Sequence, residues 1–253
     1  MILDNFKLQD KVAIVTGAST GLGQGMCIAL AEAGAKIVGV DYVEMPETKE
    51  TIEKNGGQFV GVVANLMEIA PIDGIIEKAI EAYGKVDILV NNAGIIRRED
   101  AINFSEKDWD DVMNINIKTV FFFSQAVAKQ YIKQGTGGKI VNIASMLSYQ
   151  GGIRVPSYTA SKSGVMGITR AMANEWAKHN VNVNAIAPGY MATNNTAALR
   201  ADQDRSEGIL ERIPAGRWGL PADLMGPIIF LASSASDYVN GYTLAVDGGW
   251  LAR

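Results

Sequence analysis

Cysteine and histidine are almost absent from this chain of 253 residues, which has one of each. A single cysteine, Cys27, cannot form an internal disulfide, and its apolar helical surroundings predict a buried thiol. The single histidine, His179, follows what looks like the end of a helix, where the helix dipole favours it. We therefore expect no transition-metal site, and acid–base chemistry near pH 7 must use other side chains.

An excess of positive charge and long apolar runs are also missing. The net charge is −4 and the pI is about 5.2, so the composition does not indicate binding to nucleic acid or to an anionic membrane. No apolar run approaches the roughly 20 residues that span a bilayer. The first residues, Met1 to Lys11, lack the apolar core of a signal peptide. We therefore expect a cytoplasmic protein.

Short β-branched apolar runs alternate with helical patterns from end to end, without a linker or a shift in composition. The predicted strands are 12–16, 36–41, 59–63, 86–90, 139–144, 181–186 and 244–246. This alternation predicts a single α/β domain of Rossmann fold over 1–253, with a doubly wound parallel sheet of about seven strands flanked by helices. The polar, weakly patterned segment 190–214 is a candidate mobile lid.

A glycine-rich turn follows the first predicted strand, with Gly17, Gly21 and Gly23 in the spacing Gly-x-x-x-Gly-x-Gly. Glycines allow a sharp turn and a close approach of the backbone to a pyrophosphate, and the next helix supplies N–H donors. A tight turn alone would also use such a cluster. Its place between the first strand and the first helix favours a dinucleotide site.

Asp41 ends the second predicted strand, 24 residues after Gly17 (41 − 17). A carboxylate there can accept hydrogen bonds from ribose hydroxyls and repels a 2′-phosphate. The alternative is an acid that only caps a turn. No Arg or Lys lies in the glycine turn or within several residues after Asp41, so the pattern favours NAD over NADP.

Tyr158 and Lys162 are four residues apart in a predicted helix and so lie on one face. A neighbouring ammonium favours the phenolate, and we expect it to lower the pKa of Tyr158 from its ordinary value near 10. Such a pair can exchange protons near neutral pH, although a buried ring beside a solvated amine has the same spacing. Ser145 falls at the carboxyl end of the fifth predicted strand, where ligands bind to open parallel sheets.

Asparagines mark two further places. Asn91-Asn92-Ala93-Gly94 follows the fourth predicted strand, and amides in such a loop can hold the backbone beside a cofactor. Asn116 lies in an apolar stretch, where it must find hydrogen-bond partners or cost about 1–3 kcal/mol. It is either a helix-kink partner or part of a proton path.

Taken together, these motifs resemble the short-chain dehydrogenase/reductase family from Lys11 to the C-terminus. The matching pieces are Thr16-Gly17-x-x-x-Gly21-x-Gly23, Asn91-Asn92-Ala93-Gly94, Asn116, Ser145, Tyr158-x-x-x-Lys162 and Pro188-Gly189. The resemblance implies that Tyr158 is the acid/base, that Ser145 holds the substrate oxygen and that Lys162 binds the nicotinamide ribose. It also implies a water held by Asn116, a cofactor-binding half at about 11–135 and a catalytic and substrate half at about 136–253.

The same resemblance implies a set of cofactor contacts, which Asp41 indicates to be contacts with NAD. These are Gly17, Ser19, Gly21, Leu22, Gly23, Asp41, Asn65, Leu66, Asn92, Ala93, Gly94, Tyr158, Lys162, Pro188, Gly189 and Thr193. Thr193 is expected near the nicotinamide carboxamide. Asn65 departs from the family, which often has Asp against the adenine amino group, but an amide oxygen can also accept there.

Within the family, the chain is similar to enzymes of hexuronate and pectin breakdown that act on deoxy sugar acids and are usually tetrameric. The similar stretches are 94–100, 151–158, 189–196 and 246–253. The similarity implies a homotetramer and a small-molecule sugar-acid substrate. We expect this substrate to be bound by Ser145, Tyr158, Arg154, Gln150 and Arg98. A carboxylate suits the fork of an arginine. Arg154 is the first candidate because its loop should overhang the reacting carbon; Arg97 and Arg98 come second.

Three other functions remain open. A reductase of acyl-carrier-protein thioesters shares the four catalytic residues, but it usually prefers NADP and needs a basic docking face, which neither Asp41 nor the acidic pI supports. A gluconate dehydrogenase would differ in its requirement for the 3-deoxy position. A purely nucleotide-binding protein need not keep Asn116, Ser145, Tyr158 and Lys162 together.

Overall fold

The computed structural model describes residues 1–253 and contains seven strands, all paired in parallel. The strands are β1 (Val12–Thr16), β2 (Lys36–Asp41), β3 (Gln58–Val63), β4 (Ile88–Asn91), β5 (Gly138–Ile143), β6 (Val181–Pro188) and β7 (Thr243–Val246). They lie in the order β3-β2-β1-β4-β5-β6-β7 within one sheet. This confirms the predicted single α/β domain with a doubly wound parallel sheet of seven strands.

Nine α-helices connect these strands and cover both faces of the sheet. They are α1 (Gly21–Glu32), α2 (Pro46–Lys54), α3 (Ile72–Tyr83), α4 (Glu106–Met113), α5 (Thr119–Gln134), α6 (Pro156–Trp176), α7 (Ala197–Ala201), α8 (Gln203–Arg212) and α9 (Met225–Ala232). A π-helical turn, Asn114–Lys118, joins α4 to α5. None of the helices combines the length and the apolar character needed to cross a membrane.

Strand β1 shows why the strands are continuous apolar runs. Ala13 and Val15 belong to one buried cluster, which includes residues of α1 and α9, whereas Val12 and Ile14 belong to a second, which includes residues of α3, α5 and α6. Successive side chains of a strand point to opposite faces, so a sheet covered on both faces buries every residue. All five residues of β1 are accordingly buried.

The strand order reverses between β1 and β4, which pair from Ala13↔Ile88 to Val15↔Val90. In doubly wound sheets, ligands bind outside the carboxyl ends of the strands at this reversal. The glycine turn after β1 and the loop after β4 both begin there. The fold therefore gathers the residues that sequence motifs selected at one edge of the sheet.

Several element boundaries differ from their predicted positions. Helix α1 begins at Gly21 rather than at Met26, so two glycines of the turn lie in its first turn. Strand β4 begins at Ile88 rather than at Val86, because the Gln134 side chain binds both the N–H and the C=O of Val86. The segment 190–214, a candidate lid with weak patterning in the sequence, contains α7 and α8.

Candidate active site

The glycine turn after β1 needs glycine for reasons internal to the protein. Gly17 and Gly21 have φ angles of 67° and 60°, in the left-handed region that other residues rarely adopt. A Cβ on Gly23 would lie 1.9 Å from the Gly17 carbonyl oxygen, and one on Gly17 would lie 2.7 Å from Asn92 Nδ2. The three glycines thus let α1 start directly above the end of β1, against the loop that follows β4.

The Asn-Asn-Ala-Gly loop is tied to that turn through Thr16. The Thr16 hydroxyl accepts hydrogen bonds from the backbone N–H groups of Asn92 (3.0 Å) and Ala93 (2.9 Å). Asn92 Nδ2 donates in return to the carbonyls of Thr16 (2.9 Å) and Gly17 (3.1 Å). The expectation that these amides hold backbone in place is confirmed, while Thr16, the residue that receives them, was predicted only as part of the glycine motif.

The donors and the acceptor around this turn fit a dinucleotide. The N–H groups of Gly21, Leu22 and Gly23 have no acceptor within the protein, and the N-terminus of a helix favours an anion. The buried Asp41 carboxylate accepts from the N–H of Ser19 (2.9 Å) and from that of Tyr42 (2.7 Å). Two N–H bonds leave further lone pairs on the carboxylate, so Asp41 both closes the turn and retains acceptors.

Other predicted cofactor contacts lie around the same edge of the sheet. A Cβ on Gly21 would lie 3.6 Å from Thr193 Cγ2, so Thr193 sits over the glycine turn. Pro188 ends β6, and Gly189 N–H donates to the carbonyl of Val246 at 3.0 Å.

Asn65 and Leu66 are bound within the protein. Asn65 is exposed, and its Oδ1 accepts the N–H of Met67 at 3.0 Å, which is a side-chain turn. Leu66 is buried, and its carbonyl accepts the Thr119 hydroxyl at 2.8 Å. These contacts fix the loop that follows β3.

Tyr158 and Lys162 lie on one face of α6, as their spacing predicts. Lys162 Nζ is 5.7 Å from the centroid of the Tyr158 ring and donates to the Ile143 carbonyl at the end of β5 (2.6 Å). Ser145 follows β5, is buried, and accepts the N–H of Leu147 at 3.1 Å. Strand β5 and helix α6 therefore bring a phenol, an ammonium and a hydroxyl together.

The predicted lowering of the pKa of Tyr158 by Lys162 is wrong. Burial raises the pKa of Tyr158 above its ordinary value of 10, whereas the hydrogen-bonding Ser145 hydroxyl and the charge of Arg98 lower it by less. Lys162 is itself buried, and this desolvation lowers its pKa to about 8. The charge of Lys162, which was expected to favour the phenolate, is thus unfavourable in its buried place, and its ammonium donates to a backbone carbonyl.

Asn116 lies in the π-helical turn and is fully buried. Its Oδ1 accepts the N–H of Ile95 and its Nδ2 donates to the carbonyl of Ile95, both at 2.9 Å. Nδ2 also donates to the Ser161 hydroxyl at 3.2 Å. Asn116 therefore occupies a helix irregularity and holds the loop after β4; its part in a proton path stays a prediction. Such π-helical turns are frequent at functional sites.

Two serines that support this site were missed by the sequence motifs. The Ser148 hydroxyl donates to the Lys162 carbonyl (2.6 Å) and accepts the N–H of Ser145 (3.3 Å). The Ser161 hydroxyl donates to the Tyr158 carbonyl at 2.8 Å. The spacing Ser145-x-x-Ser148 is that of a capping box, and this signal could have identified Ser148.

The three arginines considered for a substrate carboxylate differ in their partners. Arg97 lies 3.4 Å from Asp108 and 3.6 Å from Asp111, and Arg154 lies 3.0 Å from Asp100 and 3.5 Å from Glu99. Arg98 forms no ion pair; its Nη2 donates to the Asn195 carbonyl at 3.2 Å, and its charge acts on Tyr158. The first candidate, Arg154, is therefore shared with two acidic partners, whereas Arg98 has no ionic partner.

Gln150 connects the site to the segment predicted as a lid. Its Oε1 accepts from Arg212 Nη2 of α8 at 3.4 Å. The Arg212 guanidinium lies 4.0 Å from the centroid of the Trp250 ring, and Ile209 packs in a cluster with Met146 and Trp250. Helix α8 thus rests on the loop that carries Ser145 and on the C-terminal residues.

The protein combines a doubly wound parallel sheet, a glycine turn after β1 and a tyrosine–lysine pair beside a serine. These features define a nucleotide-dependent oxidoreductase of Rossmann fold. The chain belongs to the short-chain dehydrogenase family, because the family model described as short chain dehydrogenase matches residues 11–204. No group of three or more His, Cys, Asp or Glu side chains that could hold a metal is present.

Similar proteins cover the whole chain. The 2-dehydro-3-deoxy-D-gluconate 5-dehydrogenase of Dickeya dadantii is 73% identical, and that of Escherichia coli is 71% identical, each over 100% of both chains. The crystal structure of a gluconate 5-dehydrogenase from Burkholderia cenocepacia in complex with NADP and tartrate has a TM-score of 0.95 and 39% identity, and also covers 100% of both chains.

Proposed function

We propose that this protein is an NAD-dependent dehydrogenase that interconverts a secondary hydroxyl and a ketone on a deoxy sugar acid, in hexuronate and pectin breakdown. The substrate class is 2-dehydro-3-deoxy-D-gluconate or 2-deoxy-D-gluconate. The observation that carries the proposal is that Arg98 has no ion pair and that its charge acts on Tyr158, whose pKa it lowers. End-to-end identity of 73% and 71% with two 2-dehydro-3-deoxy-D-gluconate 5-dehydrogenases supports the substrate class.

Tyr158 is the proposed acid/base. Its raised pKa keeps the hydroxyl protonated at neutral pH, so it can give a proton to the oxygen of a ketone during reduction. In the opposite direction the substrate hydroxyl gives its proton to the phenolate. Ser145 lies beside the Tyr158 hydroxyl and would donate a hydrogen bond to the substrate oxygen as negative charge develops, a contact that can contribute a few kcal/mol in the transition state.

A bound nicotinamide nucleotide supplies the hydride chemistry. The residues that would hold it are those of the glycine turn with the free N–H groups of α1, Asp41 on the adenosine ribose, and Lys162 on the nicotinamide ribose. The loop of Asn92, Ala93 and Gly94 and the segment from Pro188 to Thr193 would enclose it. Asn116 would support the proton path by fixing the Ile95 backbone.

The preference for NAD rests on Asp41. A carboxylate at this position repels a 2′-phosphate, and the nearest following cation in sequence, Lys49, is paired with Glu53 at 3.9 Å. The related gluconate 5-dehydrogenase structure holds NADP, so the comparison with it does not support this preference. The ratio of NAD to NADP turnover is therefore a separate measurement from the substrate test.

The proposed carboxylate ligand is Arg98. A guanidinium can bind a carboxylate through two parallel N–H···O bonds, and Arg98 is exposed with only one carbonyl partner. Gln150 is a weaker candidate, because its amide is neutral and lacks the charge of a guanidinium. A homotetramer remains a prediction from the family resemblance, and a cytoplasmic location remains a prediction from the sequence.

The experiment that tests the function compares four substrates at fixed pH by absorbance of the reduced cofactor. The acids 2-dehydro-3-deoxy-D-gluconate and 2-deoxy-D-gluconate are tested beside D-gluconate with NAD⁺, and an acetoacetyl thioester with NADPH. We expect turnover of the deoxy acids, and its loss in Tyr158→Phe. Turnover of the thioester alone would refute the sugar-acid proposal, and turnover of none would favour a nucleotide-binding role.

A second test concerns the carboxylate. Arg98→Ala should raise KM for the deoxy acid by roughly tenfold or more, because a charge-assisted hydrogen bond contributes about 1.5–3 kcal/mol. The KM for the primary amide of the same compound should change little. Equal effects on the acid and on the amide would remove Arg98 as the carboxylate ligand.

A further inference from the structure

Arg154 joins two loops, of which one contains Arg98 and the other leads into the helix of Tyr158. One loop follows β4 and contains residues 95–100, and the other precedes α6 and contains residues 151–155. Arg154 Nε lies 3.0 Å from Asp100 Oδ1, and its Nη2 lies 3.5 Å from Glu99 Oε1. The N–H of Glu99 donates to the Arg154 carbonyl at 3.1 Å. The two loops are thus linked through both main chain and side chain.

The backbone of Arg154 is unusual. Its φ angle is 63°, one of only three positive values outside glycine in the chain. The left-handed region brings Cβ close to the following carbonyl, so a residue such as arginine adopts it only where surrounding contacts impose it. In this structure, the contacts that can impose the positive φ angle of Arg154 are those with Glu99 and Asp100. Arg154 thus combines a strained backbone with a carbonyl and a guanidinium that both have partners in the other loop. This combination indicates that Arg154 has a positioning role.

The contact of Arg154 with Glu99 and Asp100 connects residues that lie close in sequence to Tyr158 and to Arg98. Arg154 stands four residues before Tyr158 and two before Pro156, the first residue of α6. Glu99 directly follows Arg98. Arg154 and its two acidic partners therefore constrain the distance between the start of α6 and Arg98, which would bind the carboxylate.

We propose that Arg154 is a positioning residue, which holds Arg98 at a fixed place relative to Tyr158 by clamping Glu99 and Asp100. This inference rests on the proposed function, because it takes Arg98 as the ligand of the substrate carboxylate. Arg154 itself does not contact the substrate. The clamp determines where the acidic end of a substrate lies when its reacting carbon is beside Tyr158, and so affects which chain lengths of acid are accepted.

The structural half of the proposal is tested by amide hydrogen exchange of residues 96–101. The wild-type protein is compared with Arg154→Ala and with Arg217→Ala. Arg217 is a matched control, because it is an exposed arginine whose two nitrogens lie 2.7 Å from Asp223, outside both loops. We expect faster exchange in Arg154→Ala and no change in this segment in Arg217→Ala. Unchanged exchange in Arg154→Ala would overturn the clamp, whatever the substrate is.

The functional half is tested by the kinetics of the same variants with the deoxy acid and with its primary amide. Because exposed ion pairs are weak, we expect Arg154→Ala to raise KM for the acid by about fivefold, with kcat within about twofold and KM for the amide unchanged. The reversed pair, Arg154→Asp with Asp100→Arg, should recover most of this loss. Arg154→Gly accommodates the positive φ angle and replaces Arg154→Ala if that variant fails to fold.

The outcomes separate the clamp from the proposed function. A higher KM for the acid without faster exchange would make Arg154 a direct carboxylate ligand and overturn the positioning role. Failure of the reversed pair to recover KM would also overturn it. If Arg98→Ala leaves KM for the acid unchanged while Arg154→Ala accelerates exchange, the assignment of Arg98 fails and the physical link between the loops stands.

Discussion

Replacing Lys162 by methionine should make the protein more stable while it destroys the site. Lys162 is 5% exposed, and burial lowers its pKa from 10.5 to about 8. This lowering of the pKa corresponds to about 3 kcal/mol that the buried charge costs at neutral pH. Lys162→Met removes this cost but leaves the Ile143 carbonyl without its donor, which offsets about 1 kcal/mol. We expect a net gain of about 2 kcal/mol.

The dependence on pH follows from the same shift. Below about pH 8 Lys162 is charged in both the folded and the unfolded chain, so its destabilising effect is fully present. Between about pH 8 and 10.5 the folded chain has lost a proton that the unfolded chain still binds, and stability therefore rises with pH. The stability advantage of Lys162→Met should be largest at pH 7 and should shrink toward pH 10.

The assay is urea denaturation of the wild-type protein and of Lys162→Met at pH 7, 8, 9 and 10, with Lys178→Met as the control. Lys178 is exposed at the end of α6, so its replacement should change stability by less than about 0.5 kcal/mol. Because the free energies of unfolding of the variants are compared at the same pH, the titration of other groups cancels. A destabilised Lys162→Met at pH 7, or a difference that does not vary with pH, would refute the reasoning.

Three further perturbations test the site. Because the pKa of Tyr158 is raised, kcat/KM for oxidation should increase from pH 7 to pH 10, and Arg98→Ala should displace this increase to higher pH; a flat profile would contradict the acid/base assignment. Asp41→Ala should lower kcat/KM for NAD⁺ by about tenfold and raise the NADP⁺/NAD⁺ ratio, measured with saturating substrate. Ser148→Ala should cost about 1 kcal/mol of stability and lower kcat severalfold, whereas an unchanged kcat would reduce Ser148 to a structural residue.

Local patterns predicted the fold and most of the candidate site because both depend on short-range spacing. The apolar run of β1, the glycines after it and the pair four residues apart in α6 each lie within a few residues of one another. The parallel sheet then places the ends of β1, β4 and β5 at one edge, which is a general property of this architecture. Short-range spacing and the common edge of the parallel sheet together were enough to predict that one site contains Asp41, Asn92, Ser145 and Tyr158.

Contacts between distant segments could not be predicted in the same way. Arg154 was chosen as a free cation because its loop was expected to overhang the site, but Glu99 and Asp100, more than 50 residues earlier, occupy its guanidinium. A sequence gives the charge of each residue without its partner. The boundary of β4 failed for a similar reason, since Gln134 binds the backbone of Val86 across 48 residues.

The error about Tyr158 concerns the balance of two electrostatic effects. A spacing of four residues correctly places an ammonium beside a phenol, and in water that neighbour would favour the phenolate. In the folded chain both groups are desolvated, and burial dominates each pKa. Sign and size of a pKa shift therefore depend on burial, which spacing does not reveal.

The buried polar groups around the site explain both its rigidity and the stability that the protein loses there. Asn116, Ser148 and Ser161 use their side chains to bind Ile95, Lys162 and Tyr158 through the main chain. Such a network is favourable only while every member is paired, so one substitution in it leaves several groups unpaired. The Lys162 ammonium is desolvated, with one backbone carbonyl as its partner. Its cost in stability persists because the network holds α6 against the end of β5, where the ammonium is buried. Stability and catalysis therefore oppose each other at Lys162, and loosening the network should relieve the cost only by displacing Tyr158.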